Sequence, residues 1–529
     1  MLMARFTTER NWLPAKWLRA GVFASVFACV ALVFVLNAFA EKAKVPNKAQ
    51  QKRDLFLKSL QQMQDEFAAE LEKIASFCET NQLKLEAEEI RKLAQPLESN
   101  VIQGENLPRQ VQLEIPRNLP EVERSWRTQL RTAQTEYATK LIAKANKAID
   151  AGSISLAYDL VRETARHDPD HKAARRLLGY VQHQNEWVTL YTDRMLTQKY
   201  KWTDKFGWLK ADQVERYNNG ERFFGKWMSV QKEAELRRDF KNAWEVRTDH
   251  FKIYTNHSLE MGVELGKHLE DFYRIFFQTF AGFISQRAEL KNLFMGKASS
   301  SAITDPFVVR YYRTKEDYIN HLQKATQLPN IAKTSGMYLT SDSDSGKGIA
   351  HFFHNTQVSE EDRLATMFHE ATHQLFSEAY AVSRNKRVGV NSDFWAIEGI
   401  ACYMESFQKQ GETFSLGDPK YIRFQNAQYR WAKDNYFVPL ENLSRLGADA
   451  FQVDPSIEKN YSQGSGLAHF FMHYQNGIYR DEFITYLAGI YSKVDRVRNH
   501  PPSLFELTGV PFEELDQQYR DYISELKTE

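Results

Sequence analysis

The sequence predicts an α+β protein, with an all-α region of helical hairpins preceding a small mixed sheet and a C-terminal helical subdomain. Three observations carry this. Apolar residues recur at helical spacing upstream of about residue 180, strand-like runs alternate with helical ones after Trp244, and nearly everything beyond Ser359 has a helical pattern. At 529 residues the chain is long enough for several domains, and 43% apolar residues can bury real cores. The charge is balanced at 69 basic against 68 acidic residues, which gives no electrostatic footprint for nucleic acid. Three cysteines cannot build a disulfide framework.

Residues 1–40 form a separate segment. Arg5, Arg10, Lys16 and Arg19 precede an apolar run from Ala20 to Ala40, where Ala38 and Ala40 suit a signal peptidase. A run of about 20 apolar residues also suffices to cross a bilayer as a helix. The segment therefore reads as a cleaved export signal, the favoured case, or as a single-pass membrane anchor. Either way the rest of the chain is expected to be exported, in a periplasmic, cell-envelope or extracellular setting.

Residues 41–130 are expected to form a helical hairpin and linker. Phe56, Leu60, Met63, Phe67, Leu71, Ile74 and Cys78 step by four and three, and Leu83, Ala87, Ile90 and Leu93 offer the facing stripe. Pro96, Pro108, Pro116 and Pro120 then mark a linker or extended segment. In residues 131–195, the stretch Ile149 to Val181 turns at HDPDH and resembles one tetratricopeptide helical hairpin, a surface for a protein partner. Residues 196–243, rich in Trp, Tyr and Phe, read as a connector.

Residues 244–529 are expected to be one domain. HFKIYT (from His250) and FVVRYY (from Phe307) read as strands, Leu259 to Phe280 and Lys315 to Ala325 as helices, and GMYLTS with GIAHFFHN as a hairpin. Ser341 to Gly348 is explained by a hairpin turn, because it lacks the residues a calcium or phosphate loop needs at fixed positions. His351 and His354, three apart in a strand, face opposite sides and read as lining or core residues.

The strongest chemical signal is MFHEATHQLF, which contains His369, Glu370 and His373. Two histidines four apart on a helix project from one face, so both imidazoles can reach one Zn²⁺ while Glu370 stands beside the open coordination position. Ser359 with Asp362 reads as a capping box that starts this helix. A catalytic zinc takes a third protein ligand plus water. The metzincin extension is excluded, because Phe376 and Ala379 stand where it needs Gly and His. Glu398, in SDFWAIEGIACYMESF, is the leading candidate, since a carboxylate flanking that apolar stripe is costly unless paired or metal-bound. Asp393, Glu378 and His469 are the alternatives.

With HEATHQL, WAIEGIA and YSQGSGLAHFF, the chain resembles the gluzincin, or peptidase-MA-like, zinc metallopeptidases from about Trp244 to Leu526. The resemblance implies a zincin-like domain with a small mixed sheet. It also implies His369, His373 and Glu398 as zinc ligands, Glu370 as general base and Tyr461 as donor to the oxyanion. No G-x-M-E-N stretch precedes the motif, which directs the expectation toward an endopeptidase acting on peptide or protein substrates. The rival expectation is a non-catalytic envelope binding or scaffold protein, for which Glu370 would have no use.

Overall fold

The computed structural model describes residues 48–95, 101–297, 305–326, 331–340, 347–379, 388–492 and 494–528. Among these, 48–95 with 121–133 form one compact unit and 101–120 with 134–528 form another. The apolar run Ala20 to Ala40 and most of the turn after Ser341 lie outside the described residues. The expectation of a single-pass anchor is corrected, since among the described residues no helix is long and apolar enough to cross a membrane.

In the smaller unit, helices Lys48–Thr80 and Lys84–Leu93 form a hairpin. The anticipated stripe is its core, with Met63, Phe67, Leu71, Ile74 and Cys78 buried along with Ala87 and Ile90. Arg91 reaches back to Glu72 and Glu79 at 2.7 and 2.6 Å. These pairs are solvent-facing, so water and salt screen them and they contribute little to stability.

The larger unit opens with the proline-containing segment, which is extended but is not a free linker. Its strand Ile102–Glu105 pairs antiparallel with Thr413–Leu416, which in turn pairs with Gln408–Gln410. Strands are thus inserted into the stretch beyond Ser359 that read as almost all helix. Helix Ile154–His167 turns at the expected HDPDH into Lys172–Leu177, but Tyr180 and Val181 already belong to a strand.

What read as an aromatic connector is the greater part of a threefold repeat. Hairpins Tyr180–His183/Glu186–Thr189, Tyr200–Thr203/Gly207–Lys210 and Glu221–Phe224/Lys226–Ser229 are each followed by a short helix. Trp187, Trp208 and Trp227 occupy the second position of each second strand. Thr189 and Ser229 end the first and third hairpins as N-caps, each accepting a hydrogen bond from a backbone N–H of the helix that follows.

The central sheet has five strands: β1 (Trp244–Arg247), β2 (Phe251–Thr255), β3 (Phe307–Tyr312), β4 (Gly336–Leu339) and β5 (Ile349–Phe353). Their order is β4-β5-β3-β2-β1; β3 runs parallel to β2 and β5, while the outer pairs are antiparallel. Alternate residues Phe251, Ile253, Phe307, Val309 and Tyr311 enter the main core. Helix α1 (Leu259–Thr279) packs on β1 and β2. Then come α2 (Glu360–Ala379), α3 (Phe394–Met404), α4 (Ile422–Ala432), α5 (Ile457–Gly477), α6 (Arg480–Ile490) and α7 (Phe512–Glu525). The chain is therefore a mixed α+β protein of small sheets and long helical stretches.

Helix α5 packs against α3 through its small residues. A Cβ added at Gly399 would lie 2.5 Å from the Gly464 carbonyl oxygen, and one at Gly464 would lie 3.3 Å from that of Trp395. Side chains at this crossing would push the two helices apart.

Candidate metal centre

Helix α2 begins as its sequence indicates: Ser359 Oγ accepts from the Asp362 backbone N–H at 3.1 Å and donates to the Asp362 carboxylate at 2.7 Å. Further along, Met367 to Phe376 are all buried, which fixes His369, Glu370 and His373 inside the protein. Helix α3 is buried along its whole length and brings up Glu398, which is 1% exposed. Nε2 of His369 and Nε2 of His373 lie 3.1 Å apart, and they stand 3.4 and 3.8 Å from the two Glu398 oxygens. Ligand atoms placed tetrahedrally at ordinary zinc bond lengths would be about 3.3 Å apart, so three donors are already at coordination spacing.

Both Glu398 oxygens are buried without completing a hydrogen bond among the described residues. Burial alone would raise the Glu398 pKa, but the imidazoles of His373 and His369, with help from the Tyr461 hydroxyl, hold it below the usual carboxylate range. Burial pushes His373 down to about 4, which leaves a neutral imidazole with a free lone pair. At His369 burial also opposes charge, yet hydrogen bonding to Cys402, Glu398 and Glu405 raises its pKa well above the usual histidine value. Without metal a proton therefore sits where a cation would go, and metal binding would displace it.

The other face of His369 is held from outside this group. Nδ1 lies 2.7 Å from Oε1 of Glu405, and Arg423 grips Glu405 through Nε at 2.8 Å and Nη2 at 2.9 Å, with Tyr421 donating at 3.2 Å. Burial raises Glu405, but Arg423 and His369 outweigh it and bring the pKa down to about 2. The carboxylate therefore accepts the Nδ1 proton and leaves Nε2 to the metal side. Glu405 was not singled out from sequence, although it lies seven residues after Glu398, two helical turns on.

His369, Cys402 and Glu405 form a second group of donors, and Glu264, His268 and Glu360 a third. The second is the poorer cation site, because the Arg423 guanidinium already neutralises Glu405. In the third, both glutamates are exposed, and exposed carboxylates need no metal.

Glu370 lies one residue past His369, and its Oε2 accepts the Tyr338 backbone N–H of β4 at 2.9 Å. Burial raises its pKa and the Glu398 charge adds to the rise, against the opposing pull of His369. Gly336 makes room for it, as a Cβ there would meet Glu370 Cγ at 3.3 Å. Tyr461, near the start of α5, is half-buried against Phe451, and burial and the Glu398 charge raise its phenol pKa well above the usual value.

The alternative third ligands are engaged elsewhere. His469 bonds the Gly417 carbonyl at 2.9 Å and the Tyr522 hydroxyl at 2.7 Å. Glu378 accepts from Gln374 at 3.0 Å. Asp393 stands at the N-cap of α3 with φ of 63°, yet makes no capping bond; its carboxylate accepts from Tyr486 and Ser392 instead. His351 and His354 bond Tyr312 and Tyr311, each at 2.9 Å, on successive residues of β3.

Residues 363–494, which include His369, His373, Glu398 and Tyr461, match a family described as a protein of unknown function, DUF1570. A helical region precedes this match. No curated protein matches the chain. His369, His373 and Glu398 form a buried cluster able to coordinate a divalent metal.

Proposed function

We propose that this chain is an exported zinc-dependent endopeptidase of zincin-like architecture, with His369, His373 and Glu398 as ligands and Glu370 as general base. The observation that carries the reading is the Glu398 carboxylate, buried and without a completed hydrogen bond between two imidazoles. Such a group is costly unless a cation satisfies it. When bound, zinc supplies Lewis acidity, lowering the pKa of a coordinated water to about 7 and polarising a carbonyl.

The chain's own residues do the rest. Glu405, locked by Arg423, keeps His369 in the tautomer that presents Nε2. Glu370, whose pKa is raised by burial, takes a proton from the attacking water and returns it to the leaving amine. The Tyr461 hydroxyl, beside Glu398, donates to the developing oxyanion. An extended substrate has a place to lie along β4. β4 is the last strand in the sheet order, and its Tyr338 gives its backbone N–H to Glu370, so a strand added at this edge would lie beside the general base. The scaffold alternative gains no support here, because a structural zinc site closes four protein ligands around the ion and among the described residues this group has three.

The test is zinc content of the purified full chain together with hydrolysis of unfolded casein, with and without 1,10-phenanthroline. The reading predicts stoichiometric zinc and hydrolysis that stops with chelator and returns with zinc. Zinc without hydrolysis would favour the scaffold, and hydrolysis indifferent to chelator would exclude a metallopeptidase.

A further inference from the structure

The larger unit contains a cleft of about 720 Å³, and none of its lining residues belongs to the metal group. Strands Ile102–Glu105 and Thr413–Leu416 line it, together with helix Ile154–His167, α1 and the loop 418–420. That volume falls within the range of small-molecule sites.

Two lining residues carry polar atoms that find no partner among the described residues. Oε1 of Gln278, a residue only 5% exposed, is buried and accepts nothing, and Nη1 of Arg162, whose side chain is 9% exposed, donates to nothing. Buried polar atoms in folded proteins are almost always satisfied, so one orphan acceptor and one orphan donor beside one cleft point to a ligand that supplies both.

The rest of the lining defines its chemistry. Gln103, Gln408 and Gln410, with Thr413 and Ser415, offer amides and hydroxyls that each donate and accept, the inventory that suits a hydroxyl-bearing ring. The arginines are already balanced, Arg166 by Glu163 and Glu105 and Arg274 by Asp271. Lys420 and Lys527 also line the cleft, and neither forms an ion pair among the described residues. Asp418 stands on the same wall, so the lining carries five basic side chains against three acidic ones, an excess that a carboxylate can reduce.

We propose that this cleft binds an acidic sugar, a polyhydroxylated ring bearing a carboxylate, held by the glutamine amides and by Lys420 and Lys527. The test is calorimetric titration of the full chain with digalacturonate, and with lactose and citrate as neutral and non-sugar probes. Digalacturonate is expected to bind, with lactose and citrate each weaker by about tenfold or more. Replacing both exposed lysines, Lys420→Gln with Lys527→Gln, should weaken digalacturonate by about tenfold without touching the core, and Gln278→Leu should weaken it as well. No binding of digalacturonate, unchanged binding by the double lysine variant, or citrate binding as tightly as digalacturonate would each overturn the assignment.

Discussion

Oε1 of Glu405 lies 2.7 Å from Nδ1 of His369, and the same carboxylate is gripped by Arg423 through two nitrogens. A histidine held this way cannot rotate its Nε2 away from His373 and Glu398. Glu405→Gln should therefore leave the fold intact and weaken zinc binding by about 10- to 100-fold, as loss of a partner behind a metal ligand typically does. Competition against a chromophoric chelator measures this. Unchanged affinity would mean that packing alone orients His369.

The crossing of α3 and α5 should be as sensitive as the ligands themselves. Gly399→Ala places a methyl 2.5 Å from a backbone oxygen, a contact that no side-chain rotation relieves. The overpacking costs about 1–3 kcal/mol, against about 1 kcal/mol gained by removing a helical glycine. Urea denaturation should show a net loss, and zinc affinity should fall with it because Glu398 is the neighbouring residue. A stabilised variant would show that the helices separate easily.

Much of this was legible in the sequence, and what escaped it did so for identifiable reasons. The α2 helix announces itself locally, through the Ser359–Asp362 cap, the i, i+4 histidines and the buried stripe. Glu398 stood out because a carboxylate interrupts an apolar helix. Glu405 did not, since a glutamate at a helix end beside Ser406 looks solvated, and its partner Arg423 arrives only after an intervening hairpin. Strand Ile102–Glu105 was hidden because its partner, Thr413–Leu416, is distant in sequence. The threefold repeat was missed because each strand is four residues long, too short for alternation to show, so only Trp187, Trp208 and Trp227 mark the period.

Glu378 gives a pH signature separate from the metal. Burial raises its pKa from 4.5 to about 7, so between those values the folded state binds a proton that the unfolded chain has released. Stability should fall as pH rises through that window and level off above it. Glu378→Gln keeps the contact with Gln374 and removes the ionisation, so its gain over wild type should be about 1–3 kcal/mol larger at pH 8 than at pH 5. Urea midpoints at the two pH values decide this; an equal effect at both would place the Glu378 pKa near its ordinary value.

Tyr461→Phe separates two roles for a hydroxyl beside Glu398. As an oxyanion donor its loss should lower kcat by about 10²-fold or more, with little change in KM or zinc content. If zinc affinity falls while kcat at saturating zinc holds, the hydroxyl supports the ligand and not the transition state.

The most direct measurement is zinc content and casein hydrolysis of Glu370→Gln beside wild type. The amide can still accept the Tyr338 N–H, and all three ligands remain, so the variant should hold zinc stoichiometrically like wild type while hydrolysis falls to background. Wild-type hydrolysis by the zinc-loaded variant would contradict the assignment of Glu370 as the base and, with it, the peptidase mechanism.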